Sequence, residues 1–194
     1  MERRSNERQI RFSAAQFRAE DQENVRKISG YFSVFGDTYD MWPDVTESID
    51  PHAFDGALND DIRALIDHET RLVLGRTVAG TLRLRVDNHG LWGEIDINPD
   101  DTDAMNLYAR VKRGDVNQCS FGFDILDEER SINENTGAAH YTIKAVRLYE
   151  VSVCTFPAYK ATGVEARAQQ ERQRKKREFD IWRDEQKRRI KHGA

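Results

Sequence analysis

Cysteine is scarce in this chain of 194 residues: only Cys119 and Cys154 are present. Two thiols cannot build a disulfide framework, and no Cys-x-x-Cys pair or Cys/His cluster stands at ligand spacing, so neither zinc nor any other cofactor is expected. Long apolar runs are also absent. Nothing approaches the roughly 18 consecutive apolar residues of a membrane helix, and the first residues carry charge with no apolar segment behind it, unlike a secretion signal. The expectation is a soluble protein with reduced thiols, not secreted. A Gly-rich phosphate loop and a Gly-x-Ser-x-Gly elbow are both missing, which removes the common nucleotide and α/β-hydrolase readings.

Charge, by contrast, is abundant at 33% of residues, and it is unevenly spread. Residues 161–194 carry 11 Lys/Arg against 6 Asp/Glu, a net of +5, while the preceding 160 carry −9. That asymmetry divides the chain into a polar arm over 1–26, a domain over 27–160 and a basic tail over 161–194. The tail reads as a solvated helix or disordered segment. The acidic domain argues against a nucleic-acid partner, because only the tail could meet phosphates.

Within the domain the pattern is predominantly that of strands. Residues 1–26 read as an arm or a first edge strand, 28–36 as a strand, and 38–58 as a loop with a short helix near Phe54. Ile62, Ala64 and Ile66 alternate with polar residues up to His68. Leu82, Leu84 and Val86, then Leu91, Gly93, Ile95 and Ile97, predict a hairpin over 81–97 around Asp87-Asn88-His89-Gly90. Acids at 100–103, bases at 112–113 and Gly114 bracket a helix. Residues 118–126 form a strand with Cys119, Phe121 and Phe123 on one face and Ser120 and Gly122 on the other. A last strand over 141–156 is bent or split near Arg147.

Two of these placements suggest chemistry. His68 ends an apolar strand, where the sheet fixes it and a general base remains reachable. Ser120 lies on the polar face of its strand beside Gly122, which leaves room for a substrate backbone, but its hydroxyl needs a neighbouring base to act as a nucleophile. Both also have plain structural readings, a strand-end histidine and a solvent-facing serine. Cys119 is a rival nucleophile, disfavoured by its apolar face; Cys154 reads as core filler. Asp67-His68-Glu69 is a poor metal site, since three consecutive strand residues cannot face one ion. His52, His89, His140 and His192 read as surface residues.

The order of five segments carries more weight than any of them alone. They are Ile28-Ser29-Gly30-Tyr31-Phe32-Ser33-Val34-Phe35 with Glu47-Ser48-Ile49-Asp50-Pro51-His52-Ala53-Phe54; Ala64-Leu65-Ile66-Asp67-His68-Glu69 with Val73-Leu74-Gly75-Arg76; Ala79-Gly80-Thr81-Leu82-Arg83-Leu84 with Asp87 and Gly90-Leu91; Val116-Asn117-Gln118-Cys119-Ser120-Phe121-Gly122-Phe123; and Leu148-Tyr149-Glu150-Val151-Ser152-Val153-Cys154-Thr155-Phe156-Pro157-Ala158-Tyr159. In this order, spanning 28–159, the chain resembles the prohead proteases of tailed phages. His52 departs from the family's usual glycine and Cys119 from its usual small or polar residue. The resemblance implies a β-rich α+β fold: a small closed or partly open antiparallel barrel flanked by helices, similar to the herpesvirus assembly proteases.

It further implies a serine endopeptidase with Ser120 as nucleophile and His68 as base. Glu150 is the candidate third member and Asp67 its runner-up. The implied partners are the major capsid protein with its scaffold or delta segment, the enzyme's own chain as substrate, and a second copy in a dimer. The implied setting is the prohead inside the host cell. The basic tail would then be clipped in self-processing or hold the enzyme in the shell. A catalytically silent scaffolding factor on the same fold is the alternative, and a cysteine peptidase using Cys119 is a second.

Overall fold

In the computed structural model, residues 9–13, 17–22 and 25–155 are described, and the basic tail expected over 161–194 lies outside them. Eleven strands and one α-helix occur among them. The strands are β1 (Gln9–Ser13), β2 (Arg18–Gln22), β3 (Val25–Val34), β4 (Thr38–Trp42), β5 (Val45–Ile49), β6 (Arg63–Ile66), β7 (Glu69–Arg76), β8 (Leu82–Val86), β9 (Gly90–Ile97), β10 (Gln118–Ile132) and β11 (Ala139–Cys154). The helix, α1, is Thr102–Arg113.

The chain is β-rich, but its strands do not close into a barrel. They form an open seven-stranded sheet, ordered β1-β10-β11-β5-β4 with β6 and β7 branching from β11, and a four-stranded sheet ordered β2-β3-β9-β8. The closed form of the expected barrel is not seen, and β11, at 16 residues, is long enough to hold two different strands on one edge. Ala139–Ile143 of β11 pair with β5, and Glu150–Val153 pair with β6, both in parallel. Closure would need the two ends of the path, β1 and β4, to pair, and they do not.

Local chemistry explains the elements. Asp101 caps α1 by accepting from the Asp103 and Ala104 amides, and Gly114 ends it in the left-handed region at φ 90°. Ala104, Leu107, Tyr108 and Val111 recur at helical spacing and are buried. The core between the sheets is aromatic where β10 faces it. Phe121 stacks on Phe123 at 4.9 Å and meets the edge of Phe54 at 5.7 Å. Burying each such ring contributes about 2–3 kcal/mol.

The reading of 38–58 as a loop is corrected: β4 and β5 form a hairpin there, and near Phe54 there is only a 3-10 turn, Ala57–Asn59. Val45, Glu47 and Ile49 alternate inward, but a glutamate at the centre of the inward face disguises the period. β7 was also missed, because Asp67 and His68 adopt φ 47° and 63° and turn the chain back in two residues without the usual Asn-Gly signal.

At Gly90 the two strands β3 and β9 approach so closely that an added Cβ would sit 2.0 Å from the Ser33 carbonyl oxygen. Gly90→Ala is therefore expected to lower stability by about 3 kcal/mol in chemical denaturation. A change within about 0.5 kcal/mol, ordinary for surface sites, would show that the strands separate without penalty.

Candidate active site

The polar faces of β10 and β11 form one surface. Ser120 is the register partner of Ser152, and Gly122 that of Glu150. Directly paired residues share a face, so Ser120, Glu150 and Ser152 point the same way, joined by Cys154 two residues beyond Ser152. This face is not solvated as the serine's plain reading supposed: Ser120 and Ser152 are 0% exposed and Glu150 is 1% exposed. The opposite face carries Cys119, Phe121 and Phe123 into the core, where the Cys119 thiol donates to the Tyr31 carbonyl at 3.1 Å.

His68 enters from the turn between β6 and β7. That turn is clipped to the end of β11 by three bonds. The Asp67 amide donates to the Val153 carbonyl at 3.1 Å, and the Asp67 carboxylate accepts from the Thr155 amide at 2.8 Å and its hydroxyl at 3.1 Å. Asp67 thus anchors the loop, and another carboxylate orients the ring. Glu150 Oε1 lies 2.7 Å from His68 Nδ1, while Glu150 Oε2 accepts from the Ser152 hydroxyl at 2.6 Å. An ionised carboxylate only accepts, so Nδ1 donates in this contact, and in the neutral ring of that tautomer Nε2 is the acceptor. A left-handed backbone at His68, where a Cβ crowds the carbonyl oxygen, costs about 1–2 kcal/mol; the clip to β11 offsets it and fixes where the imidazole starts.

On its other side the ring meets Cys154, whose Sγ is 3.9 Å from Nε2. Contact with both Glu150 and Cys154 sets the imidazole alongside Ser152, whose neighbour across the strand pair is Ser120. Within the described structure the Ser120 hydroxyl donates to the Arg11 carbonyl at 2.9 Å. Histidine and glutamate are thus brought into contact, and the serine is one strand away with its proton directed elsewhere. Ser152 and the contact of Cys154 with the ring escaped the sequence reading. The signal for Ser152 was available, since Glu150 and Ser152 are two apart in a strand and must share a face.

Burial, reinforced by the negative charge of Asp67, pushes the Cys154 thiol well above its ordinary range. A group that holds its proton more tightly folded than unfolded loses stability as pH rises past the unfolded value of about 8.5. At neutral pH Cys154 is a thiol and a weak nucleophile. Iodoacetamide at pH 7.5 is expected to leave both cysteines of the native chain unmodified by mass spectrometry, with modification appearing in denaturant. Rapid native alkylation at Cys154 would overturn this. No group of three or more His, Cys, Asp or Glu among the described residues could hold a metal ion. None of the helices described is long and apolar enough to cross a membrane.

A buried carboxylate that holds an imidazole in one tautomer, next to a strand presenting a serine, has the parts of a general-base site. Comparison with known proteins takes this further. The family model for caudovirus prohead serine proteases matches residues 13–177. The prohead protease of Enterobacteria phage HK97 is 34% identical over 143 residues, 72% of this chain and 59% of that protein. The chain belongs to the caudovirus prohead serine protease family. It spans about 59% of the length of the curated relative it matches. No solved structure matches it.

Proposed function

We propose that this chain is a serine endopeptidase of prohead maturation, with Ser120 as nucleophile, His68 as base and Glu150 as the residue that orients the base. The observation that carries the reading is the 2.7 Å contact of His68 Nδ1 with the buried Glu150 carboxylate, made beside the strand that bears Ser120. His68 Nε2 takes the Ser120 proton as the oxygen attacks a peptide carbonyl. The imidazolium returns that proton to the leaving amine as the C–N bond breaks. Water then attacks the acyl-enzyme by the same route and restores the hydroxyl. The Glu150 charge stabilises the imidazolium in between.

The substrates in this reading are the scaffold or delta segment of the major capsid protein and the chain itself, cut inside the prohead in the host cell. The family description and the name of the HK97 relative support the prohead setting and the protease activity, from which a capsid-protein substrate follows. The enzyme works as a dimer in this proposal, and its kinship is with the herpesvirus assembly proteases, which use a serine, a histidine and an unusual third member. The test is co-expression with the cognate capsid protein, followed by mass spectrometry of both chains. Wild type yields fragments of defined ends and Ser120→Ala yields none. Intact capsid protein beside the wild type would favour a scaffolding role, and fragments that persist with Ser120→Ala would reject the nucleophile.

A further inference from the structure

Strand β10 has two edges, and β11 fills the one beside Ser152. An extended peptide that pairs with β10 by main-chain bonds can therefore do so only along the other edge. That edge is occupied by β1, antiparallel, with Gln9 to Ser13 paired against Phe123 to Cys119. The register sets the Arg11–Phe12 peptide at the serine, and the Ser120 hydroxyl donates to the Arg11 carbonyl at 2.9 Å. β1 thus lies where a substrate strand would lie, with a peptide carbonyl against the nucleophile and the nucleophile's proton turned away from His68.

The side chain at that position is equally particular. Arg11 projects to the opposite face, stacks its guanidinium 5.4 Å from the centre of the Phe123 ring and forks onto the Glu47 carboxylate, with Nη2–Oε2 at 2.9 Å and a second bond from Nε to Oε1. Glu47 is 0% exposed and Arg11 is 7% exposed. A buried carboxylate is tolerated when a cation and its hydrogen bonds accompany it, and a fork-shaped guanidinium suits it best.

Building on the endopeptidase reading, we propose that the β10 edge opposite β11 is the substrate lane, that β1 occupies it as an internal stand-in, and that Glu47 selects a basic residue as the one whose carbonyl faces Ser120. The substrate class is an extended peptide cut after Arg or Lys. It binds by adding a strand to β10, with main-chain bonds giving affinity and the Glu47 pocket giving specificity. Displacing β1 opens the lane and frees the Ser120 proton for His68.

The experiment uses the full chain with quenched fluorogenic peptides that differ only in a central Arg, Lys, Gln or Glu. Arg11→Glu sets two like charges together and unseats β1; turnover of the Arg and Lys peptides is expected to rise at least about tenfold over wild type, with the Gln peptide cut about 100-fold less well, the scale of a lost charge-assisted bidentate pair. Glu47→Gln in the Arg11→Gln background takes the charge out of the pocket and is expected to abolish the preference for the Arg and Lys peptides over the Gln peptide. Should Arg11→Glu fail to fold, Arg11→Gln supplies the milder displacement, and a synthetic peptide of residues 7–16 added in trans is expected to suppress the gain. Equal turnover in folded Arg11→Gln and wild type, or no preference for a basic residue, overturns the proposal. Ser120→Ala runs beside every arm: cleavage that survives it sinks the endopeptidase reading instead, whereas Ser120-dependent cleavage without basic preference sinks this inference alone.

Discussion

Ser120→Ala is expected to lower turnover of a peptide substrate by about 10⁶-fold, the loss seen when a serine hydrolase loses its nucleophile. The substitution removes one hydroxyl from a side chain that is 0% exposed and hydrogen-bonded to the Arg11 carbonyl. Losing that bond costs about 1 kcal/mol, so the chain stays folded and its inactivity is chemical. The cysteines supply the contrast. Cys119 faces the core with its thiol on the Tyr31 carbonyl, and Cys154 holds its proton through burial. Cys119→Ala and Cys154→Ala are each expected to keep measurable Ser120-dependent turnover. An inactive Cys154→Ala beside an active Ser120→Ala would transfer the nucleophile to the thiol that lies 3.9 Å from His68 Nε2. Steady-state kinetics with thermal melts for each variant separates chemistry from folding.

What was legible in the sequence was whatever obeys a simple period or a local cap. The hairpin β8–β9 shows uninterrupted alternation, and α1 is framed by Asp101 and Gly114, so both stand where the pattern puts them. The face assignment of β10 was legible for the same reason: a period of two leaves Cys119 no choice once Phe121 and Phe123 are in the core. Pairing partners were not legible, because hydrogen bonding between strands is set by distant packing rather than by either strand's own pattern. Nothing in the residues 9–13 announces that they pair with β10, and nothing in Glu47 announces a buried ion pair with Arg11 across 36 residues. The site shows the same division. His68, Ser120 and Glu150 could each be singled out, but the contact of Glu150 with the ring depends on β6 lying parallel to β11, with Arg63 opposite Glu150. Solvent exposure was misjudged for a related reason: an unbroken polar face reads as surface in a strand taken alone, and Ser120, Glu150 and Ser152 satisfy one another or the backbone instead.

Glu150→Gln is the second large expectation, at about 10⁴-fold in kcat with KM little changed. The amide is nearly isosteric, so packing around a residue 1% exposed is preserved. Two things are lost. The negative charge that stabilises the imidazolium disappears, and the amide now has an N–H₂ end. Ser152 donates to one oxygen and His68 Nδ1–H to the other. An amide can accept from only one of them, and if its N–H₂ end faces the ring it forces the proton onto Nε2, the atom that takes the serine's proton in the proposed mechanism. Stability is expected to move little or to rise, because replacing a buried ion by a neutral group removes its desolvation penalty. Falling kcat with an unchanged or higher melting temperature is thus the signature of a positioning role. Glu150→Asp keeps the charge but draws it back along the side chain, and a displacement of about 1 Å corresponds to about 10²-fold. The order expected is wild type, then Asp, then Gln. Glu150→Gln within tenfold of wild type in kcat would show that the imidazole finds its tautomer without this carboxylate, and the third member would have to be sought elsewhere.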